Sequence, residues 1–336
     1  MQGWQAPATW KFGWRVNQPA HNCWGEVVGR PDMAREPSDS AEGAAERAGK
    51  VLGALLADPL PGGLYIVATP IGNLGDITLR ALSTLARADI LCAEDTRHSR
   101  TLLSHYSISR PLRPYHEHNA ERERPRLLAE LAAGKSIAII SDAGTPLISD
   151  PGYKLVREAA AAGHGVMALP GASAVLAALA TAGLATDTFL FAGFLPPRQA
   201  ARRTRLAELK AVPATLVFFE APTRLADALA DIAAEFGERD CAVARELTKL
   251  HEEVRRGTAA ELAKWAAEAG PKGEMVILAG PPVAEAVTDQ AILARLEPLL
   301  ADMSLRDASK AVAEQLGIPR GRVYDLALAL KSERGG

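Results

Sequence analysis

The chain has 336 residues, 48% of them apolar, which is enough for two domains with sizeable cores. Its formal net charge is −2, from 38 basic and 40 acidic residues, which excludes a protein that coats nucleic acid through general positive charge. Three scattered cysteines without CxxC spacing argue against a disulfide framework or a zinc site and favour a reducing compartment, the cytoplasm. No apolar run reaches the roughly 18 residues that a membrane span requires.

The first 60 residues differ in composition from the rest of the chain. Four of the five tryptophans fall within the first 24 positions, and a polar stretch of mixed charge follows at 30–50. We expect residues 1–60 to form a mostly disordered N-terminal extension. Residues 1–32, just before the internal Met33, are either an upstream extension with a misplaced start or an interaction tail with aromatic anchors.

Residues 63–183 alternate short apolar runs with helical segments. A short apolar run that stops at a Gly/Pro turn and leads into a helix is typical of a buried parallel strand. The pattern therefore predicts an α/β domain. Its predicted strands are 64–69, 90–93, 112–115, 137–141 and 166–169, and its predicted helices are 78–86, 97–105, 120–133, 150–162 and 173–182.

Residues 186–283 predict a second α/β domain with a mixed sheet, because several of its strands cluster with short connections. Thr223 and Thr258 are expected to cap helices. The predicted strands are 189–193, 215–219, 241–245, 252–256 and 274–279, and the predicted helices are 200–211, 223–236 and 258–269.

The tail, residues 288–332, predicts a helix–turn–helix with Gly317 at the break and Ser304 and Asp307 as an N-terminal capping pair. A short turn and a basic start to the second helix, at Arg320 and Arg322, are typical of DNA-binding versions. The tail is otherwise balanced in charge, so plain packing or a dimer contact is the competing interpretation.

Five apolar runs end in unusual turns that hold acidic or hydroxyl residues. Ligands of open α/β sheets sit in the crevice outside the carboxyl ends of the strands, so the turns predict one cleft lined by several loops, and an enzyme. Neither a G-x-G-x-x-G fingerprint nor a P-loop is present. The five segments are LYIVATPIGN, SIAIISDAGTP, VMALPGAS, TLVFFEAPTR and CAVARELTK.

Several of these residues have a structural alternative. Asp142 is suited to a ribose or an amino group but also to a surface turn, and Asp76 and Ser173 are suited to ligand contact or to helix capping. The charged segments 220–224 and 245–253 predict a substrate site or a solvated salt-bridge network. The basic segment 198–210 predicts a phosphate-binding patch or a soluble helix face. No third ligand accompanies His116 and His118, so we expect no metal site.

Six motifs in order resemble the RsmI family of 16S rRNA 2′-O-ribose methyltransferases, within the tetrapyrrole-methylase (class III) superfamily. The resemblance covers about residues 63–282 and the helical tail. It implies two αβα domains with S-adenosylmethionine in the cleft between them, and a cytoplasmic homodimer. It also implies methylation of a decoding-site cytidine (position 1402) of 16S rRNA in the small ribosomal subunit. The motifs are TPIGN-x-x-DIT, CAEDTRHS, SDAGTP-x-ISDPG, LPGAS, FFEAP-x-R and RELTK-x-HEE.

The resemblance also implies roles for individual residues. We hypothesise that Glu246 or Lys249 handles the proton, Lys249 only if its pKa is lowered, and that Arg245 and Arg224 hold RNA phosphates. The loops depart from the Gly-Asp-Pro and Gly-x-Gly-x-Gly-Asp patterns of the tetrapyrrole-specific branch. That departure, with the basic segment 198–210, counts against a small-molecule methyltransferase on this fold, the first alternative. The second alternative is a non-catalytic nucleic-acid-binding protein that uses the tail, and the near-neutral tail and the intact cleft loops count against it. Cofactor contacts are expected at Pro70, Asp142, Ala143, Gly144, Thr145, Ile148, Ser173, Ala174, Glu220 and Leu247, and substrate contacts at Asn73, Asp76, Arg97, Arg202, Arg203 and Arg224.

Overall fold

The computed structural model describes residues 37–147, 152–282 and 288–334. The described residues up to Pro282 belong to one compact unit, and those from residue 288 belong to a second. Within these ranges, no helix combines the length and the apolar character that crossing a membrane demands.

The N-terminal half of the first unit is built on a five-stranded sheet of order β3-β2-β4-β1-β5. All of its strand pairs are parallel, as the alternation of strands and helices predicts. The strands are β1 (Gly63–Val67), β2 (Ile90–Ala93), β3 (Leu112–Pro114), β4 (Ser136–Ile140) and β5 (Val166–Leu169), and the helices after them are α2 (Leu79–Arg87), α3 (Thr96–His105), α4 (Ala120–Ala132), α5 (Tyr153–Ala161) and α6 (Ala174–Ala182).

The N-terminal sheet is covered on both faces, which explains its continuous apolar runs. Successive residues of β1 point to opposite faces. Tyr65 and Val67 join the core cluster beneath α2 and α3, while Leu64 and Ile66 join the cluster beneath α4 and α5. Both faces are covered, so all five residues of β1 are buried.

The C-terminal half contains a second five-stranded sheet, of order β6-β7-β10-β8-β9. Its β6–β7 pair is parallel and its other pairs are antiparallel, so the predicted mixed sheet is confirmed. The strands are β6 (Phe189–Phe194), β7 (Thr215–Glu220), β8 (Asp240–Arg245), β9 (Glu253–Thr258) and β10 (Met275–Ala279), and the helices are α7 (Gln199–Leu209), α8 (Leu225–Phe236) and α9 (Ala259–Ala269).

Helix α6 joins the two halves. Its Val175 and Leu179 pack in one core cluster with Val217 of β7 and Val276 of β10. The opposite face of the C-terminal sheet is covered by α7, α8 and α9. The last helix of the N-terminal half therefore serves as a layer of the C-terminal half, which places the carboxyl ends of β1, β4 and β5 against the second sheet.

Part of the segment expected to be disordered is a helix, α1 (Pro37–Ala57). The expectation is wrong for these residues, because the segment is rich in alanine and leucine, which favour helix, and packs on α2. The Ser83 hydroxyl donates a hydrogen bond to the carbonyl of Leu55 (3.2 Å), and Arg87 donates one to the carbonyl of Asp58. Residues 58–60 of the predicted extension are also described, and Leu60 packs against the core, whereas residues 1–36 lie outside the described residues.

The second unit is a three-helix tail with its own core, formed by α10 (Asp289–Asp302), α11 (Leu305–Leu316) and α12 (Arg320–Arg334). The predicted helix–turn–helix is confirmed. Ser304 caps α11 by accepting from the Asp307 backbone, and Gly317 ends it in the left-handed conformation. Arg322 lies 2.6 Å from Asp289, so at least part of its charge is used within the tail.

Candidate active site

A cleft of about 710 Å³ lies between the carboxyl-end loops of the N-terminal sheet and the C-terminal sheet. A cleft of this size is typical of sites for nucleotide-sized ligands. The predicted cleft is therefore present. It is lined by Ile71, Ala143, Gly144, Thr145, Pro170, Gly171, Ser173, Ala174, Val175 and Leu176 on the N-terminal side, and by Phe189, Phe191, Phe194, Phe219, Glu220, Ala221, Pro222, Gly273, Glu274, Met275 and Val276 on the C-terminal side.

The N-terminal wall is lined mainly by small residues at the ends of loops. Thr69 and Gly144 exchange two backbone hydrogen bonds, of 2.9 and 3.0 Å, which fix the loop after β4 against the loop after β1. A Cβ atom at Gly171 would lie 2.8 Å from the Cβ of Ala68. Glycine is therefore needed there, because only a residue without a side chain lets the turn before α6 come this close to the end of β1.

The first turn of α6 begins at this wall. Ser173 is its N-cap and accepts a hydrogen bond from the backbone N–H of Leu176 (3.4 Å). The capping interpretation of Ser173 is thus confirmed, although the residue also lines the cleft. The N-terminal amides of α6 carry partial positive charge, which favours a negative or oxygen-rich ligand group nearby.

The C-terminal wall is aromatic, and sequence reasoning missed it. Phe191 and Phe194 of β6 both make edge-to-face contacts with Phe219, with ring centroids 4.8 and 5.6 Å apart. Phe194 is 59% exposed although it lines the cleft. The alternation of Phe189 and Phe191 was the available signal, since residues two apart on a strand face the same side. Phe194 is three positions from Phe191, and the irregular register between them brings it to the same surface.

Glu220 ends β7 with a fully buried side chain. Its Oε1 atom accepts hydrogen bonds from the Ala221 backbone N–H (2.8 Å) and lies 2.6 Å from Nη2 of Arg224. These contacts hold the next residues in a short 3-10 helix, so α8 begins at Leu225 and Thr223 is not its cap, contrary to prediction. Arg224, predicted to hold RNA phosphate, pairs with Glu220 instead of standing free.

The loop between β8 and β9 carries the proposed proton-handling pair. Nζ of Lys249 lies 3.0 Å from Oε1 of Glu246 and 3.2 Å from Oε2 of Glu274. The Glu274 backbone N–H and the Lys249 side chain hydrogen-bond to Glu246 and lower its pKa. Burial by itself lowers the pKa of Lys249, but hydrogen bonds to Glu246 and Glu274 outweigh it and raise the pKa. Both shifts oppose proton abstraction, and the condition set for Lys249 as a base is not met.

The neighbours of this pair have structural contacts. Arg245 donates from Nε to the carbonyl of Lys272 (2.9 Å) and lies 3.2 Å from Glu253. Leu247 is buried in the same core cluster as Ile71, a cleft-lining residue. Leu247, predicted to contact the cofactor, therefore packs in the core under its loop and is not among the residues that line the cleft.

The predicted substrate residues near the N-terminal sheet fall into two groups. Arg97 is largely exposed, and its guanidinium is paired with Asp95 at 2.8 Å. Asn73 caps a short 3-10 helix by accepting from Gly75, and Asp76 within that helix is exposed. Thr78, and not Asp76, caps α2. The expected capping role of Asp76 is therefore wrong, because the 3-10 turn places it before the helix starts.

The two arginines predicted to bind substrate from α7 hold two helices together. Arg202 is buried and donates from Nε to Oδ2 of Asp231 (2.7 Å), while Arg203 donates to Oδ1 (2.9 Å). Asp231 lies on α8 and is 1% exposed. The basic face of 198–210 is thus partly neutralised by a buried carboxylate that the segment itself does not contain.

Six of the ten predicted cofactor contacts line the cleft. Pro70 and Asp142 precede the lining residues Ile71 and Ala143 in the chain, and Ile148 lies outside the described residues. Within the described ranges, no three His, Cys, Asp or Glu side chains come together as a metal site would require. The six that line the cleft are Ala143, Gly144, Thr145, Ser173, Ala174 and Glu220.

Comparison with known proteins defines the class first. Residues 63–263, more than half of the chain, match the family model described as Tetrapyrrole (Corrin/Porphyrin) Methylases, so the chain belongs to that class. The crystal structure of diphthine synthase has the same fold, with a TM-score of 0.51 and 16% identity, covering 65% of this chain and 89% of that one. Residues 285–331 match the RsmI C-terminal HTH domain.

Curated relatives narrow the class. Ribosomal RNA small subunit methyltransferase I of Mesorhizobium japonicum is 53% identical over 83% of this chain and 96% of its own length. The protein of that name from Pseudomonas aeruginosa is 46% identical over 80% of this chain and 97% of its own length. The chain therefore belongs to the ribosomal RNA small subunit methyltransferase I family.

Proposed function

We propose that this protein transfers the methyl group of S-adenosylmethionine to the ribose 2′-hydroxyl of a decoding-site cytidine (position 1402) of 16S rRNA. The observation that carries the proposal is the relationship to ribosomal RNA small subunit methyltransferase I over nearly the full length of those relatives. The cleft lies mostly within the part of the chain that matches the methylase family model, and the tail matches the family's own C-terminal domain.

The cleft suits a nucleoside-containing cofactor. On one side, Gly144 and Gly171 line the cleft and let its loops pack closely, since a Cβ at Gly144 would lie 3.3 Å from a side-chain atom of Ile71. On the other, Phe191 and Phe219 offer an apolar surface to a flat base. When bound, S-adenosylmethionine supplies an activated methyl group on a positively charged sulfur.

Positioning is the contribution to catalysis that the described residues support. A ribose hydroxyl is a weak nucleophile, so holding it in line with the methyl carbon and sulfur accounts for much of the rate. The hypothesis that Glu246 or Lys249 takes up the proton stays a prediction, and the pKa directions of both groups weigh against it. A general base elsewhere would contribute roughly 10²–10⁴-fold.

Within the proposal, the partners are a folded small ribosomal subunit and a second copy of this chain, in the cytoplasm. The net charge of −2 does not favour indiscriminate RNA affinity. Recognition of RNA shape by an enzyme of balanced charge fits an assembled particle better than free RNA.

The direct test is methyl transfer from labelled S-adenosylmethionine to small subunits from a strain that lacks this enzyme, followed by mass mapping of the rRNA. We expect one new ribose methyl group at a decoding-site cytidine. Subunits from the parent strain, which already carry the methyl group, are the control and should accept no label. Cofactor binding without transfer to any rRNA would overturn the proposed substrate and redirect the search to small nucleophiles.

A further inference from the structure

The loop between β8 and β9 has an unfavourable backbone that the fold maintains. Glu246 and Thr248 have φ values of 49° and 66°, in the left-handed region that residues with a Cβ seldom adopt. Two such residues in a stretch of three indicate that surrounding contacts determine the loop. The Glu246 N–H donates to the Glu274 carbonyl (3.0 Å), and the Glu274 N–H donates to the Glu246 carboxylate (3.0 Å). The Thr248 N–H donates to the Glu252 carboxylate (2.7 Å).

This loop reaches across to the loop that follows β1. The Asn73 backbone N–H donates to the Thr248 hydroxyl (3.1 Å), although the two residues are 175 positions apart. A Cβ at Gly72 would lie 2.4 Å from Cγ of Lys249, so the lysine stem lies directly on the glycine backbone. The approach is possible only because position 72 has no side chain.

The lysine head group completes the connection. Its Nζ lies between the carboxylates of Glu246 and Glu274, and Glu274 lines the cleft. A Cβ at Gly273 would lie 2.3 Å from Cδ of Glu246, so glycine is required there as well. On the opposite wall, Ile71 lines the cleft next to Gly72. Lys249 thus spans from one wall of the cleft to the other.

We propose that Lys249 is a positioning residue that ties the loop of residues 69–73 to the C-terminal sheet and so holds the cleft in the form that receives the cofactor. This inference rests on the proposed function. A positioning residue and a general base differ in what their removal changes. Loss of the positioning residue weakens cofactor binding, whereas loss of a general base slows the chemical step by roughly 10²–10⁴-fold and leaves binding intact.

The test compares Lys249→Met, which keeps the stem but removes the charge, with Lys249→Arg, which keeps the charge. S-adenosylhomocysteine affinity is measured by calorimetry, and single-turnover methyl transfer to small subunits is measured at saturating S-adenosylmethionine. We expect Kd to rise about tenfold in K249M and to recover substantially in K249R, because a charge-assisted hydrogen bond is lost in the first and kept in the second. The single-turnover rate should stay within about threefold of wild type in both.

A second pair of variants tests the same connection without touching a charged group. Gly72→Ala should push the lysine stem away and weaken S-adenosylhomocysteine binding as K249M does. Gly53→Ala, where a Cβ meets no atom within 4 Å, is the matched control and should bind normally. Lys135→Met removes an ion pair with Glu130 outside the cleft and is the control for loss of a lysine charge.

The outcomes separate this inference from the proposed function. Wild-type protein that binds no S-adenosylhomocysteine and methylates no subunit would contradict the proposed function. If wild type does both, and K249M and G72A bind S-adenosylhomocysteine with unchanged Kd, the proposed positioning role of Lys249 is wrong. A K249M variant with normal affinity and a rate reduced 100-fold or more would make Lys249 a catalytic residue instead.

Discussion

Single backbone positions shape the walls of the cleft. Gly171 allows the turn before α6 to touch Ala68, and the two hydrogen bonds between Thr69 and Gly144 fix the neighbouring loop. None of these contacts involves a long side chain, so the wall is positioned before any ligand binds. Sequence motifs pointed to the right loops, but the need for glycine at 171 follows only from the distance to Ala68.

Replacing Gly171 by alanine should therefore weaken cofactor binding. The new Cβ lies within 2.8 Å of Ala68, and overpacking of this kind costs about 1–3 kcal/mol. We expect the S-adenosylhomocysteine Kd to rise roughly tenfold in calorimetry. Gly165→Ala, where a Cβ would lie 3.8 Å from Cε of Met167 in ordinary van der Waals contact, should bind as wild type. Equal affinities in both variants would contradict the role assigned to Gly171.

At the scale of elements, a buried carboxylate joins α7 to α8. Burial by itself raises the pKa of Asp231, but hydrogen bonds from Arg203, Gln199 and Arg202 outweigh it and hold the pKa below its ordinary value. The carboxylate is therefore charged in the folded protein and is neutralised by two arginines. The arginines that looked suited to phosphate are needed for packing, since Asp231 would otherwise be a buried, unpaired charge.

Replacing Asp231 by alanine should destabilise the fold strongly. Arg202 would be left buried without its partner, which costs about 3–5 kcal/mol in the free energy of unfolding. Urea denaturation measures the change. Arg205→Ala, which removes an exposed pair with Glu208, is the control and should cost at most about 0.5 kcal/mol. Similar losses in the two variants would contradict the structural role of Asp231.

The same carboxylate predicts a pH dependence. Because its pKa is lower in the folded than in the unfolded chain, the stability it contributes is complete above the unfolded value of about 3.9. That stability is lost as the pH falls through the folded value. The difference in unfolding free energy between wild type and Asp231→Asn should therefore be constant from pH 7 to 5 and shrink below about pH 4. A difference that grows on acidification would mean that folding raises the pKa of Asp231 instead of lowering it.

At the scale of the molecule, the cleft is built wholly from the unit that ends at Pro282. The tail has a separate core of small and branched residues from α10, α11 and α12. Cofactor binding and the tail are thus assigned to different parts of the chain, and the family relationship covers both.

A chain truncated after Pro282 should bind S-adenosylhomocysteine with a Kd within about twofold of the full chain, because every lining residue is retained. Calorimetry on the two proteins provides the comparison, with thermal unfolding as the control for folding of the truncated chain. A folded truncated protein that had lost binding would show that the tail completes the site. Methyl transfer to small subunits by the same protein measures what the tail adds to substrate recognition.

The sequence by itself determined the two α/β halves, the mixed character of the second sheet and the position of the cleft. These features depend on local signals: short apolar runs, Gly/Pro turns at strand ends, and caps such as Thr258 and Ser304, whose partners are three residues away. Composition alone did not predict helix α1, because its contact with α2 adds to the helix preference of its own residues.

Only the tertiary structure decided what the charged residues do. Arg202 and Arg203 pair with Asp231, which lies 29 and 28 positions further along the chain. Lys249, in the loop after β8, pairs with Glu274, which directly precedes β10. The partner of a long charged side chain depends on which distant segments the fold brings within a few ångströms, and no local pattern encodes that. The loops were therefore predictable from the sequence, whereas the division between residues that face the cleft and residues that hold it together was not.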